Sequence, residues 1–251
     1  MTHADNDVTY PGGTVRLYVP EPLGETQLNL GEDQSHYLAN VMRVKTGQRV
    51  RIFNGTDGEW LATIQAITKR HVTVRLETKI RRPAPEPQVT LLLAPIKRTP
   101  FDYVIQKAVE LGVARIIPVL TERTIVARVN LERLTANAIE AAEQSDRLTV
   151  PEIAAPAALG TAVRGLAAGT SVIFCDEAGD AAPLAQALSK MPGGPMAILT
   201  GPEGGFSPQE RAMLRGQTFV IPVSLGPRIL RADTAALAAL AVWQSTHGDW
   251  K

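Results

Sequence analysis

The fold of this chain is decided by residues 197–210, which read AILTGPEGGFSPQE. A short apolar run passes into a glycine-rich loop, and Ser207 and Glu210 then have the spacing of a capping box with Pro208 at the first helical position. The glycines therefore follow a predicted strand and precede a predicted helix. Glycine allows positive φ and lets a ligand approach the backbone closely, although a plain tight turn has the same pattern.

A second glycine loop strengthens the interpretation as a ligand site. The apolar run at 218–223 ends in Ser224-Leu225-Gly226-Pro227, and the next residues, 228–234, read RILRADT. Asp233 or Thr234 is predicted to cap a helix rich in alanine and leucine. Two glycine loops at strand ends, followed at once by a capped helix that carries arginine, form a combination more specific than any of its parts.

Outward from these loops, continuous apolar runs alternate with helical patterns. One helix is predicted to start with Thr99 as N-cap and Pro100 at its first position and to stop at Gly112, and another to run from Asn130 to about Arg147. The pattern predicts an α/β domain with a mostly parallel sheet, whose ligand sites lie beyond the carboxyl ends of the strands. The runs predicted as buried parallel strands are 89–93, 116–120, 172–175, 197–200 and 219–223.

The N-terminal third has a different pattern. Apolar residues alternate with polar ones through residues 49–78, which predicts a meander of short antiparallel strands, preceded by a strand at 14–19 and a short helix near 35–42. We interpret this part as a small β-barrel. The predicted domains are a barrel over 1–82, a proline-rich linker at 83–87 and the α/β domain over 88–251.

Charge is unevenly distributed along the 251 residues. The formal net charge is +1, but between His36 and Arg82 ten basic residues face three acidic ones. Such an excess is typical of a surface that meets polyanions, and a solvated sheet face of mixed charge is an equally open interpretation. The candidate RNA-binding residues in this segment are Arg43, Arg49, Arg51, Lys69, Arg70 and Arg75.

Several classes of protein lack support. The single cysteine, Cys175, lies in an apolar run and is predicted to be a buried strand thiol, so a disulfide framework is excluded. The four histidines are scattered, so we expect no metal site. Motifs of serine hydrolases, P-loop NTPases and dinucleotide-binding folds are absent from the sequence. No stretch is long enough to cross a bilayer and the first residues lack a signal sequence, so we expect a soluble, cytoplasmic protein.

Residues 199–207 and 225–235 resemble the signature loops of the RsmE family, SPOUT-type methyltransferases that modify N3 of a uridine in 16S ribosomal RNA. The similarity extends through 106–113 and 140–147, and the barrel is similar to the family's PUA-like RNA-binding domain. The resemblance implies a deep trefoil knot, S-adenosylmethionine bound in that knot, a homodimer, and action on 16S rRNA or the 30S subunit. Asp233 is a departure, because glutamate is expected there.

The resemblance also implies a set of site residues. Because the N3–H of uracil is a poor nucleophile until it is deprotonated, a base or a cation is needed. Arg231 is the candidate cation, and Glu203 is the candidate base unless it only orients the donor loop; pairing of Arg231 with Asp233 or Glu203 is a structural alternative. The candidate cofactor-binding residues are Leu199, Thr200, Gly201, Pro202, Glu203, Gly204, Gly205, Ser224, Leu225, Gly226, Ile229, Leu230, Ala232, Thr234 and Ala235.

Further candidates and alternatives stay open. Glu110 and Glu143 suit a helix salt bridge as well as a site role. A SPOUT methyltransferase acting on tRNA has a similar glycine loop, and a non-catalytic RNA-binding or ribosome-assembly protein is the rival from another class. The sequence of residues 230–235, LRADTA, favours the rRNA enzyme. The candidate RNA-binding residues of the second domain are Lys97, Arg98, Lys107, Arg147 and Arg228.

Overall fold

The structure, a computed structural model, describes residues 14–126, 128–176 and 180–250. The chain divides into two units, Met1–Ala84 and Pro85–Lys251. The linker predicted at 83–87 spans the point of division. Residues 1–13, which the sequence assigns to the barrel, lie outside the described residues.

The first unit is built on a five-stranded sheet. Its elements in chain order are β1 (Arg16–Tyr18), β2 (Gln27–Asn29), α1 (Glu32–His36), a π-helical turn (Tyr37–Val41), β3 (Arg49–Asn54), β4 (Gly58–Ile67) and β5 (Val72–Arg81). The strand order is β1-β3-β4-β5-β2. The antiparallel meander of β3, β4 and β5 is confirmed, whereas β1 pairs with β3 in parallel.

The alternation of apolar residues puts one face of this sheet in a core. Val50, Ile52, Ile64 and Val74 are fully buried and belong to one hydrophobic cluster, to which Leu38 from the π-helical turn also belongs. Side chains two residues apart point to the same face of a strand, so the observed burial follows from the period of two in the sequence.

The turn between β3 and β4 is held by a carboxylate. Asp57 accepts hydrogen bonds from the backbone N–H of Leu23 (2.8 Å) and from the side-chain amide of Asn54 (3.1 Å). These two hydrogen bonds lower the pKa of Asp57. Gly58 has φ +84°, and a Cβ there would overlap the backbone carbonyl of Arg81, so a larger residue does not fit.

The second unit alternates strands with helices. Its elements in chain order are β6 (Val89–Leu93), α2 (Arg98–Glu110), β7 (Arg115–Leu120), α3 (Leu131–Gln144), β8 (Glu152–Ile153), β9 (Ala157–Ala158), α4 (Leu159–Arg164), β10 (Ser171–Cys175), β11 (Ala182–Pro183), α5 (Leu184–Leu188), β12 (Met196–Thr200), α6 (Pro208–Arg215), β13 (Val220–Ser224) and α7 (Ala232–Thr246). The strand order is β11-β13-β10-β12-β6-β7-β8, with β9 paired to β7. Every pairing is parallel, which confirms the predicted sheet and its five main strands.

Helices pack on this sheet, so its strands are buried on both faces and their sequences are hydrophobic throughout. Leu91, Leu92 and Leu93 of β6 are all fully buried, although successive side chains point to opposite faces. Helix α7 packs against α2, α5 and β12. Because all the strands are parallel, their carboxyl ends lie at one edge, where the loops rich in glycine emerge.

Three predicted helix ends differ from the observed ones. Helix α2 begins at Arg98, because the carbonyl of Lys97 accepts the N–H of Phe101, so Thr99 as N-cap is wrong. Helix α7 begins at Ala232 with Arg231 as N-cap, so the predicted cap by Asp233 or Thr234 is wrong as well. Helix α3 was predicted from Asn130 to about Arg147; it begins at Leu131 after a side-chain cap by Asn130 and stops at Gln144, before the positive φ of Asp146.

Candidate functional site

A cavity of about 600 Å³ lies at the carboxyl ends of β10, β12 and β13. These three strands are neighbours in the sheet, so the loops that follow them meet although they are distant in sequence. We call this space the strand-end cavity. It is lined by Cys175, Asp176, Thr200, Gly201, Pro202, Glu203, Ser224, Leu225, Gly226, Pro227, Arg228, Ile229, Leu230, Arg231, Ala232 and Ala235.

Most of the candidate cofactor-binding residues, and both candidate catalytic residues, line the strand-end cavity. Leu199, Gly204, Gly205 and Thr234 do not. Leu199 is fully buried in the hydrophobic cluster under the sheet, and Thr234 is exposed on the first turn of α7. The sequence therefore predicted the loops correctly. Which residues of these loops line the strand-end cavity depends on the order of the strands in the sheet.

The first glycine loop is rigidly built. Gly205 donates its N–H to the carbonyl of Pro202 (2.9 Å) and has φ +67°. A Cβ at Gly201 would lie 2.6 Å from the ring of Phe206, which itself packs edge-on against Phe174. The predicted capping box of Ser207 and Glu210 is confirmed, with both reciprocal hydrogen bonds present. The loop is thus fixed by an aromatic contact on one side and a helix start on the other.

Thr200 presents an unpartnered polar atom to the cavity. The residue is 1% exposed, and its hydroxyl has no hydrogen-bond partner among the residues that the structure describes. A buried polar group without a partner costs about 1–3 kcal/mol. A polar ligand in the strand-end cavity would remove that cost, so the lining fits a small polar molecule.

Two groups at the end of β10 also line the cavity. Burial raises the pKa of the Cys175 thiol to about 12, which favours the neutral thiol at physiological pH. Asp176 is fully buried in its side chain and pairs with Arg211 (3.0 Å) and Arg215 (2.7 Å) of α6. Arg215 in turn binds Asp180, and the hydrogen bond from Arg215 lowers the pKa of that carboxyl. This network ties α6 to the sheet edge.

The loop after β7 is hydrogen-bonded to the first glycine loop and to the start of α6. Arg123 donates from Nη1 to the carbonyl of Gly204 (2.9 Å), and the N–H of Glu122 donates to Glu210 (2.8 Å). Sequence reasoning missed these residues and Asp176, because their partners lie 35 to 88 positions away along the chain. The one available signal was their position just after predicted strands.

Arg231 and Glu203 are both exposed residues of the cavity lining. Within the described part of the chain no ion pair joins Arg231 to Glu203 or to Asp233. Asp233 instead accepts the N–H of Thr234 at 2.8 Å. The guanidinium of Arg231 is therefore available to a ligand, and Ile229 beside it is 97% exposed.

The candidate RNA-binding residues of the first unit occupy two kinds of environment. Arg43, Lys69 and Arg70 are exposed. Arg49 and Arg75 lie 3.4 and 3.7 Å from Glu77. Arg51, 22% exposed in its side chain, lies 3.3 Å from the fully buried Glu59, which also binds Arg16 and Arg81. A structural role therefore accounts for Arg51, whereas the first three residues face solvent.

In the second unit Lys97, Arg98 and Arg228 are exposed. Lys107 binds Glu110 at 2.6 Å, so the salt-bridge alternative for Glu110 is the one observed. Arg147 is 8% exposed in its side chain, binds Glu86 at 2.8 Å and donates to the carbonyl of Val109. Burial lowers the pKa of Arg147. Its position speaks for a structural role and gives no support to the predicted RNA contact.

Two further features bear on the class of protein. No cluster of three or more histidine, cysteine, aspartate or glutamate residues suited to a metal ion occurs among the described residues. Likewise, the described helices include none with the length and apolar character needed to cross a membrane.

Comparison with known proteins gives concordant matches for both units. Residues 83–244 match the family model of the RNA methyltransferase domain, and residues 30–77 match the RNA methyltransferase PUA domain. Ribosomal RNA small subunit methyltransferase E of Rickettsia conorii is 35% identical over 229 residues, which cover 90% of this chain and 93% of that protein.

Two solved structures extend the likeness to the whole fold. The Legionella pneumophila protein Lpg2936, with bound cofactor SAM, superposes with a TM-score of 0.84 and 31% identity over 94% of this chain and 99% of its own. The ribosomal RNA small subunit methyltransferase E of Neisseria gonorrhoeae, bound to S-adenosyl methionine, gives 0.80 and 30% over 95% and 100%.

Proposed function

The chain belongs to the ribosomal RNA small subunit methyltransferase E family, and we propose that it transfers the methyl group of S-adenosylmethionine to N3 of a uridine in 16S rRNA. The observation that carries the proposal is the strand-end cavity, where an unpartnered threonine hydroxyl, two glycine loops and the candidate groups Arg231 and Glu203 come together. The relatives with bound S-adenosylmethionine supply the identity of the donor.

The cavity suits the donor in size and chemistry. Its volume of about 600 Å³ falls within the roughly 300–1,000 Å³ of small-molecule sites. We propose that Thr200 and the backbone of residues 201–203 hold the polar parts of the donor, while Leu225 and Leu230 contact its apolar faces. When bound, the donor supplies a methyl group already activated by its sulfonium. The protein then has to position the acceptor and exclude water.

The acceptor nitrogen requires activation by the protein. The carboxylate of Glu203 accepts the N3 proton in our proposal, and the guanidinium of Arg231 stabilises the negative charge that develops on the uracil carbonyl oxygens. Both residues line the same cavity and are exposed to an incoming base. N3 lies on the Watson–Crick edge, so the target base must be unpaired when it enters.

The remaining parts of the proposal rest on the family relation. The first unit, with its exposed Arg43, Lys69 and Arg70, would contact phosphates of the 30S subunit. We also propose that the 225–235 loop takes part in a trefoil knot, that the protein acts as a homodimer, and that it works in the cytoplasm where ribosomal subunits are made.

The function is tested with purified protein, labelled S-adenosylmethionine, and either 30S subunits or free 16S rRNA. Digestion to nucleosides and mass spectrometry should give 3-methyluridine at one position. Methyl on a ribose, on another base, or only on tRNA added in parallel would contradict the proposal. A protein that binds the donor in calorimetry but methylates none of these RNAs would favour the ribosome-assembly alternative.

A further inference from the structure

A second cavity, of about 330 Å³, lies in the same unit beside the starts of α2 and α3. Three arginines, Arg98, Arg128 and Arg133, line it together with Asn130 and the apolar side chains of Ile96 and Phe101. We call it the arginine cavity. Of these arginines only Arg98 is predicted from the sequence as an RNA-binding residue. Arg128 lies in the loop before α3 and Arg133 lies in α3, and the course of that loop cannot be predicted from the sequence.

The arginine cavity carries an excess of positive charge. Arg133 is paired with Asp102, whose other oxygen lies 3.9 Å from Arg98. Arg128 is exposed and makes no ion pair within the described ranges of the chain. Three guanidinium groups thus face one carboxylate, and an anion would compensate the remaining charge.

One helix start adds to this field. Helix α2 begins at Arg98, with no side-chain cap and no acidic residue in its first turn. Helix α3 contributes less, because the Asn130 side chain already accepts the N–H of Arg133 and Glu132 lies in the first turn. The N-terminus of a helix carries a partial positive charge and unbonded N–H groups, which favour phosphate. Planar guanidinium groups bind two phosphate oxygens at once. The chemistry therefore points to a phosphate group as ligand.

The loop after β7 contacts the first glycine loop and also contributes residues to the arginine cavity. In this loop Arg123 binds the carbonyl of Gly204, whereas Arg128 and Asn130 line the arginine cavity. Strands β12, β6 and β7 are neighbours, and adjacent strands are about 4.8 Å apart. The two cavities therefore lie side by side at one edge of the sheet, within reach of a single RNA segment.

We propose that the arginine cavity binds a backbone phosphate of the acceptor RNA close to the target nucleotide. The inference rests on the proposed function and adds to it the place where the RNA strand is held. A phosphate contact positions the strand without reading its sequence. It therefore adds to the affinity for RNA that the first unit provides, while the transfer takes place in the strand-end cavity.

The test substitutes Arg128, which is exposed and can be changed without disturbing the ion pairs around it. Binding of labelled, protein-free 16S rRNA is measured by filter retention over a range of salt concentrations. Arg128→Gln should weaken binding about tenfold, or about 1.4 kcal/mol, and reduce the slope of log affinity against log salt by about one. Arg128→Lys, which keeps the charge, should keep the slope. The affinity for S-adenosylmethionine should stay unchanged in both variants.

Arg115→Gln provides a control for the loss of one positive charge elsewhere on the sheet, because Arg115 lies at the amino end of β7, where it pairs with Glu152 at 3.1 Å. It should leave RNA affinity and salt slope as in the wild type. Equal affinity and slope in Arg128→Gln and wild type would overturn the inference. Inorganic phosphate that binds the wild type but not Arg128→Gln, with equal RNA affinity in both, would identify a small-anion site and overturn it too.

This binding assay is independent of methyl transfer. If Arg128→Gln weakens RNA binding but the wild type methylates another nucleoside, the phosphate site is supported and the proposed function is contradicted. Absence of salt-dependent RNA binding by the wild type would contradict both.

Discussion

Replacement of Thr200 by valine should change stability and donor affinity in opposite directions. In the free protein the Thr200 hydroxyl is buried without a hydrogen-bond partner among the described residues. Removal of such a group abolishes a desolvation cost of about 1–3 kcal/mol, and valine suits a strand as well as threonine does. Thr200→Val should therefore raise the free energy of unfolding by about 1 kcal/mol in the absence of donor, measured by urea denaturation.

The same change should weaken the binding of S-adenosylmethionine. A hydrogen bond contributes a net 0.5–1.5 kcal/mol, so calorimetry should give a dissociation constant roughly 2- to 10-fold higher. Thr90→Val, on the neighbouring strand β6 and outside the cavity lining, is the matched control and should leave donor affinity unchanged. Unaltered donor affinity in Thr200→Val would refute a contact between the hydroxyl and the donor. Loss of stability would refute the unsatisfied state of that hydroxyl.

Two further outcomes are expected. Arg231→Gln should lower the rate constant of methyl transfer in single-turnover assays by roughly 10²- to 10³-fold. Donor affinity should be unchanged, because Arg231 caps α7 through its backbone carbonyl; an unchanged rate constant would remove Arg231 from the chemistry. The hydrogen bonds from Leu23 and Asn54 lower the pKa of Asp57, so their stabilisation is present above the unfolded value near 3.9 and is lost as pH falls through the folded pKa. The free energy of unfolding, measured by urea denaturation, should fall less with decreasing pH in Asp57→Asn than in the wild type. An identical pH dependence in both proteins would exclude Asp57 as a source of the acid sensitivity.

The strands of the second unit could be predicted because burial on both faces leaves a clear signal. Residues 89–93 and 196–200 are continuous apolar runs, and both became parallel strands. Helix starts were harder to predict. Thr99 and Asp233 are good capping residues, but the observed caps, Lys97 and Arg231, accept no hydrogen bond with their side chains and accept N–H groups only through their backbone carbonyls. Their position is set by where the preceding loop leaves the sheet, which local sequence does not encode.

For the candidate site, sequence identified the loops and missed their supports. Residues 201–205 and Gly226 could be predicted as loop residues, because glycine favours turns and positive φ wherever it occurs. Asp176 and Arg123 act through partners on distant segments, so only strand order reveals them. Charge was equally ambiguous, since Arg147 and Arg128 look alike in sequence. One is held in the interior by Glu86 and the other is exposed in the arginine cavity.

These supports have a consequence for catalysis. A sulfonium donor is already reactive, so most of the rate enhancement must come from holding donor and acceptor in line. The carbonyl of Gly204 is fixed by Arg123, the start of α6 by Glu210, and the body of α6 by the ion pairs of Asp176. Rigidity of this kind costs nothing at the moment of reaction, because the contacts that fix the loop do not involve the substrates. We therefore expect residues that touch neither substrate to contribute to the rate by limiting the motion of the glycine loop, whereas the proposed roles of Arg231 and Glu203 concern the proton and charge of the acceptor base.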